Sequence, residues 1–109
     1  MIQSKARSIS FRAELLGQGH GNPWVYLRFP FSVQDVFGRK GLVPVRGTLN
    51  GFAFRNSLMP RYGVHILGVS EELQHSASAS PGDVVDVVLQ FDDGRDESHL
   101  TRIEGGPNT

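Results

Sequence analysis

Apolar and polar residues alternate in six segments of the chain, and a period of two is typical of half-buried β-strands. In the first segment the apolar side chains stand at odd positions from Ile9 to Leu15, with polar residues between most of them. The last segment is apolar on much of both faces, which predicts a central strand. The predicted strands are residues 8–16, 24–29, 42–49, 52–59, 63–69 and 84–91.

Asn50-Gly51 separates two of these segments and is a strong signal for a two-residue hairpin, because a type I′ turn needs positive φ at both central residues. A loop of this length also determines the register of the two strands. Gly47 is expected to leave room for the ring of Phe54. The predicted inward pairs are Leu49 with Phe52, Gly47 with Phe54, Val45 with Asn56, and Val43 with Leu58; the outward pairs are Thr48 with Ala53, Arg46 with Arg55, and Pro44 with Ser57.

Two short helices are predicted between strands, each after a serine that suits the N-cap position. One begins after Ser32 and ends at Gly38, and the other begins after Ser70 and runs through Leu73. A strand–helix–strand unit followed by Asn-Gly or Asp-Gly therefore occurs twice, which indicates a pseudo-twofold repeat. We predict an all-β fold in which these units close a six-stranded barrel with two short capping helices.

The length of 109 residues suits a single domain, which we place at residues 1–104 with a flexible tail at 105–109. The absence of cysteine excludes disulfides and thiolate metal sites. The N-terminal segment does not resemble a signal peptide, and no stretch reaches the roughly 20 apolar residues of a membrane span. We therefore expect a cytoplasmic protein with no membrane partner.

The net charge of zero conceals a division along the chain. Residues 1–70 contain nine Lys and Arg but two acids, whereas residues 71–109 contain nine acids and two arginines. The first part is thus +7 and the second −7. This asymmetry indicates either interleaved halves whose charges offset each other or a basic surface for a partner.

Four segments, taken in their order along the chain, are informative about family membership: FRAELL, WVYLRFP, VPVRGTLNGFAFRNSLMPRYGVHILGVSEEL and PGDVVDVVLQFD. Over residues 9–92 the chain resembles a bacterial domain family of unknown function, most specifically at 45–60 and Pro81-Gly82-Asp83. The resemblance implies a small double-split β-barrel, alone or upstream of a domain named for bacteriocin protection or OmpD association. It implies no catalytic residues. Relative to this pattern we expect no second domain, and residues 74–80 and the glycine-rich loop at 17–23 depart from it.

Arg46 and Arg55 are the sharpest candidate feature, because directly opposed like charges on paired strands are destabilising. A carboxylate from the acidic segment, a bound anion or solvent should offset them. Arg28 and Arg61 come from neighbouring segments and would extend a basic face, together with Arg39 and Lys40.

Two interpretations of this basic face stay open. It is a platform for phosphate or a nucleic-acid backbone, with Trp24 and Tyr26 stacking on bases. Alternatively, its arginines are solvated and paired with carboxylates such as Glu71, Glu72 or Asp86. Asn56, on the inward side of the hairpin, is either a satisfied buried amide or the polar floor of a small pocket.

The leading prediction is a non-enzymatic binding module that takes an anionic ligand or a protein partner, or forms a homodimer, through this arginine-bearing face. The alternatives are a small nucleic-acid-binding β-barrel and an enzyme of unknown class. A pI near 6.9 disfavours the nucleic-acid alternative. The four histidines have no ligand-type spacing, so neither a metal nor a cofactor is predicted.

Overall fold

The computed structural model of the chain describes residues 8–17 and 24–94. These residues form one seven-stranded antiparallel sheet and two short helices, which confirms a mainly β fold. The predicted domain end at 104, the tail at 105–109 and most of the glycine-rich loop lie outside the described residues. The elements are β1 (Ser8–Glu14), β2 (Leu16–Gly17), β3 (Val25–Phe29), α1 (Val33–Phe37), β4 (Val43–Leu49), β5 (Phe52–Arg61), β6 (Val64–Gly68), α2 (Glu71–Ala77) and β7 (Val84–Phe91).

The sheet is an open half-barrel, so the predicted closed six-stranded barrel is wrong. Its order is β1-β7-β4-β5-β6-β3-β2, which leaves β1 and β2 at the two edges. These edge strands are consecutive in the chain and are separated by Leu15 alone. A single strand over 8–16 was predicted, and such a strand would have paired with β7 and β3 without a break. The interruption at Leu15 therefore leaves the sheet open.

Leu15 leaves the sheet because its backbone binds the turn before β7. Its N–H donates to the carbonyl oxygen of Asp83 at 2.8 Å, and its own carbonyl accepts from the N–H of Gly82 at 2.7 Å. Its side chain is fully buried in the core. The chain pairs with β7 before this residue and with β3 after it. Leu15 thus carries the chain from one edge of the half-barrel to the other.

Phenylalanine rings pack at the place where β1 approaches β3. Phe11 meets Phe29 and Phe31 edge to face, at centroid distances of 5.5 and 6.0 Å. Phe29 also contacts Phe31 at 5.6 Å and stacks on Phe37 of α1 at 5.9 Å. Edge-to-face pairs stabilise by about 0.5–1.5 kcal/mol beyond the burial of their area. Side-chain packing therefore joins β1 to β3, between which the described residues show no backbone ladder.

The hairpin register predicted from Asn50-Gly51 is confirmed in all seven pairs. The φ angles of 51° and 88° are those of a type I′ turn. The expected burial of the inward pairs holds only in part, because Phe52 and Asn56 are exposed. The reason is the length of β5, whose ladder to β6 covers only Leu58–Arg61. Among the described strands, the first half of β5 therefore has β4 beside it and no second neighbour.

Both helices begin where the sequence predicts. The hydroxyl oxygens of Ser32 and Ser70 accept N–H bonds three residues on, at 3.2 and 3.1 Å. The first helix ends at Gly38 in the left-handed conformation, as expected. The second runs to Ala77, one turn beyond the predicted end at Leu73. Leu73 and Ala77 lie one turn apart and are both buried, and this packing outweighs the modest helix propensity of the serine-rich sequence.

Strands that hold corresponding places in the two predicted repeats pair with each other. β3 pairs with β6, and β4 pairs with β7, both antiparallel. A pseudo-twofold axis through the sheet would produce this arrangement. β7 is paired on both sides, with β1 and β4. No helix among residues 8–17 and 24–94 is long and apolar enough to cross a membrane.

Gly47 allows the close approach of β7 to β4. A Cβ added at Gly47 would lie 1.7 Å from the carbonyl oxygen of Val88 and 2.7 Å from its carbonyl carbon. These are backbone atoms in a paired strand, which cannot move aside as a side-chain end can. Glycine is therefore required here for the contact between β4 and β7.

Gly47→Ala is expected to lower the free energy of unfolding by roughly 2–3 kcal/mol, because overpacking forces the backbone apart. Gly68→Ala is the matched control, since its nearest neighbour would be Trp24 Nε1 at 3.4 Å, an ordinary contact. This control should change stability by less than about 0.5 kcal/mol. Urea denaturation of both variants measures the difference. Equal stability of the two variants would contradict the role given to Gly47.

Candidate functional site

The ladders place all four predicted arginines on the outer face of the half-barrel. Arg46 pairs with Arg55, Arg28 with Ile66, and Arg61 with Val64. Side chains alternate along a strand, and the residues next to these positions, such as Val45 and Leu27, belong to the core. The same face therefore carries all four arginines, but in three different environments.

Arg55 binds the carboxylate of Asp92, which lies just past the end of β7. The Nε of Arg55 donates to Oδ2 of Asp92 at 2.8 Å, and the Nη2 of Arg55 donates to Oδ1 at 3.1 Å. The Asp92 side chain is 13% exposed and that of Arg55 is 50% exposed. The N–H of Asp92 donates to the carbonyl of Pro44 at 3.0 Å, which holds the carboxylate beside the opposed arginines.

The surroundings of Asp92 favour its charged form. The hydrogen bond from Arg55 lowers the pKa of this carboxyl, and the N–H of Gly94 lowers it further, while partial burial raises it. The charges of Arg55 and Arg46 also lower it. Asp92 thus offsets the repulsion between the paired arginines. The carboxylate partners suggested by the sequence were different, and one of them, Asp86, binds Arg12 at 2.9 Å.

Arg61 belongs to an aromatic–arginine cluster formed with Trp24, Tyr26 and Tyr62. Its guanidinium carbon lies 5.5 Å from the ring centroid of Trp24 and 5.8 Å from that of Tyr62. The Trp24 and Tyr26 rings are 5.2 Å apart, and those of Tyr26 and Tyr62 are 6.2 Å apart. Tyr26 is only 7% exposed, whereas Tyr62 is 66% exposed. Tyr62, rather than the predicted Tyr26, therefore offers an accessible ring.

Arg28 lines a basic cleft at the end of the half-barrel, together with Lys40. The cleft has a volume of about 580 Å³, which lies within the usual range of ligand sites. Phe31, 45% exposed, and Val64 add apolar surface to its wall. A ring nitrogen of His65 lies 2.8 Å from the carbonyl oxygen of Gly41 and so joins two sides of the cleft. Within the described part of the chain, neither Arg28 nor Lys40 forms an ion pair.

Asn56 is exposed, so the burial expected for it is not found. Its Nδ2 donates to the carbonyl oxygen of Gly68 at 2.9 Å, and its Oδ1 accepts from the N–H of Ser57 at 2.8 Å. The amide links β5 to β6 just beyond their ladder. Asn56 does not line the basic cleft.

A smaller cavity of about 370 Å³ lies between β5 and α2. Phe52, Phe54 and Leu73 contribute its apolar surface, and Glu72 is the charged residue in its wall. Among the residues that the structure describes, no group of three or more His, Cys, Asp or Glu could hold a metal ion.

Several residues of these sites were not recognised from the sequence. Tyr62-Gly63 lies between two alternating segments, so a closer reading of turn chemistry could have identified a second two-residue hairpin there. Asp92 reaches Arg55 only through the pairing of β4 with β7, for which the local sequence holds no signal. Phe31 was not singled out either, and it comes beside Lys40 only through the path of the chain around α1.

Asp92→Asn is expected to lower the free energy of unfolding at pH 7 by about 1 kcal/mol, because the Arg46–Arg55 repulsion is then less well offset. Asp86→Asn should have a smaller effect, since both partners in that ion pair are about 70% exposed. Denaturant titrations measure both. An Asp92→Asn effect no larger than that of Asp86→Asn would contradict the assignment.

The same variants give a pH test. Since the folded protein lowers the pKa of Asp92 from its ordinary value of 3.8, the stabilisation is present above that value and is lost as the pH falls through the folded pKa. The difference between wild type and Asp92→Asn should therefore shrink as the pH falls below about 5. A difference that does not change with pH would show that the ion pair is not its cause.

A comparison with curated proteins found no match for the chain. The model of one protein family, described as a domain of unknown function (DUF1905), matches residues 11–89. The match spans well over half of the chain and lies within the 9–92 range over which the resemblance was seen. The chain therefore belongs to the DUF1905 family of domains of unknown function.

Proposed function

We propose that this domain is a non-enzymatic binding module and that it takes anionic ligands in the basic cleft. The observation that carries this proposal is the presence of Arg28 and Lys40 on one cleft with no described carboxylate bound to either. In contrast, Arg12 and Arg55 each bind an aspartate. The cations of the cleft are therefore available to an external anion.

The charge distribution around the cleft supports the same proposal. Residues 24–69 contain six Lys and Arg but a single acid, Asp35. A concave site with charges of one sign focuses the potential and raises the local concentration of oppositely charged ligands. The neutral overall charge does not remove this effect, because ionic screening limits it to distances of about 8–10 Å.

The apolar wall of the cleft indicates that the ligand has an apolar part beside its anionic group. Phe31 and Val64 expose hydrophobic surface beside the two cations. A ligand that joins an anionic group to an apolar or aromatic body would contact both. An acidic segment of a protein partner that carries an apolar side chain has the same chemistry. We propose that such a ligand or partner occupies the cleft.

The broader setting belongs to the same proposal. The family resemblance implies a bacterial, double-split barrel domain, and we propose that it acts in the cytoplasm beside a second domain or a separate partner. Self-association through an edge of the half-barrel would be compatible with a binding role.

Titration of the ¹⁵N-labelled chain with inorganic pyrophosphate and with a glutamate-rich peptide containing phenylalanine tests the proposal. Shifts of the backbone amides at Phe31, Lys40, Gly41 and His65 are expected. Replacing both cations, as Arg28→Ala with Lys40→Ala, should weaken binding by about a hundredfold or more, since two charge-assisted contacts of about 1.5–3 kcal/mol each are lost.

Arg12→Ala is the matched control, because it removes an arginine of another strand that already binds Asp86. It should leave the affinity unchanged at a given salt concentration. Equal loss of affinity in this control and in the double variant would show a general charge effect and would overturn the cleft assignment. Amide shifts confined to other surfaces would overturn it as well.

A further inference from the structure

Tyr62 stands at a turn position that aromatic residues rarely occupy. The turn at Tyr62-Gly63 has φ angles of 58° and 79°, close to the 51° and 88° of Asn50-Gly51. Asparagine tolerates this left-handed region because its short side chain bonds locally, whereas a bulky residue is strained there. The chain therefore keeps an aromatic ring at a position where its backbone is unfavourable. Such strain is concentrated at functional sites.

The Tyr62 ring is exposed but well supported. Tyr26 and Ile66 are buried beneath this part of the outer face, and neither belongs to the main core cluster. The Tyr62 ring lies 6.2 Å from Tyr26 and 5.8 Å from the guanidinium of Arg61. A small apolar layer on the outer face thus holds the exposed ring in a defined place.

Arg61 is held between the rings of Trp24 and Tyr62. It forms no ion pair with a carboxylate in the described part of the chain. A guanidinium that stacks on aromatic faces keeps its N–H donors available at its edge. The arrangement combines two aromatic surfaces with an available planar cation. Stacking rings combined with positive charge are the features by which proteins bind single strands of nucleic acid.

We propose that the aromatic–arginine cluster is a stacking surface for the bases of a single-stranded nucleic acid. Gly63 and Val64, which follow Tyr62, border the basic cleft, so a strand stacked on the cluster would direct its phosphates toward Arg28. This path of the backbone rests on the proposed function of the cleft, whereas the stacking does not. Proline-rich peptides also dock on aromatic surfaces, but the cations of this face favour a polyanion.

Trp24 gives a direct measurement, because it is the single tryptophan of the chain. Titration of the full chain with oligothymidylate of about ten nucleotides should quench its fluorescence as bases stack on the cluster. The affinity should fall as the salt concentration rises. A proline-rich peptide without charged residues serves as the competing probe.

Tyr62→Asn separates binding from folding. Asparagine suits the left-handed turn, so the melting temperature should rise, while the affinity for oligothymidylate should fall roughly tenfold or more with the loss of the ring. Asn50→Gly is the matched control at the equivalent turn and should leave the affinity unchanged. A tyrosine with a purely structural role would not combine higher stability with weaker binding. Arg61→Gln should weaken binding and reduce its salt dependence.

Three results would overturn the inference: no quenching by oligothymidylate, quenching by the proline-rich peptide instead, or unchanged affinity in Tyr62→Asn. Amide shifts in the cleft with pyrophosphate, without any effect of oligothymidylate on Trp24, would remove the stacking surface and leave the cleft proposal intact. Conversely, quenching that survives the Arg28→Ala and Lys40→Ala changes would support the stacking surface and count against the path of the phosphates toward the cleft.

Discussion

Two hydrogen bonds between the backbone of Leu15 and the turn at Gly82-Asp83 determine how the sheet is joined. They remove Leu15 from the ladder, so that the chain pairs with β7 on one side of this residue and with β3 on the other. The backbone polar groups of a buried residue need partners, and this turn supplies them. The phenylalanine contacts between β1 and β3 then fill the space at the open side. The half-barrel, and with it the position of its ends, follows from this single interruption.

Among the described residues, some cations are bound by a carboxylate and others are not. Asp92 offsets Arg46 and Arg55, which the hairpin register forces into direct opposition. Arg28 and Lys40 meet instead at a cleft, and Arg61 stacks on aromatic rings. A carboxylate thus lies where two arginines are paired directly. The remaining cations lie beside accessible apolar or aromatic surface, which is where an external anion would gain both kinds of contact.

The sequence by itself determined the features that depend on a few consecutive residues. Asn50-Gly51 determined the turn and hence the register that opposes Arg46 to Arg55, because a two-residue loop allows one alignment of its strands. Serine N-caps and a terminal glycine likewise defined both helix starts and one helix end. The mainly β class followed from alternation with a period of two. These signals act within one turn or one strand, so no distant contact was needed to interpret them.

Only the tertiary structure decided the features that depend on distant parts of the chain. The sheet stayed open because the backbone of Leu15 bonds to Gly82 and Asp83. These partners lie almost seventy residues further along the chain, so the local sequence does not reveal them. Asp92, rather than the carboxylates suggested by the sequence, reached Arg55 because β7 pairs with β4. The predicted arginines shared a face but were divided among three environments, and Asn56 was exposed because β6 covers only the end of β5. Alternation shows which face a side chain occupies, whereas its neighbours on that face are decided by which strands pair and where each ladder ends.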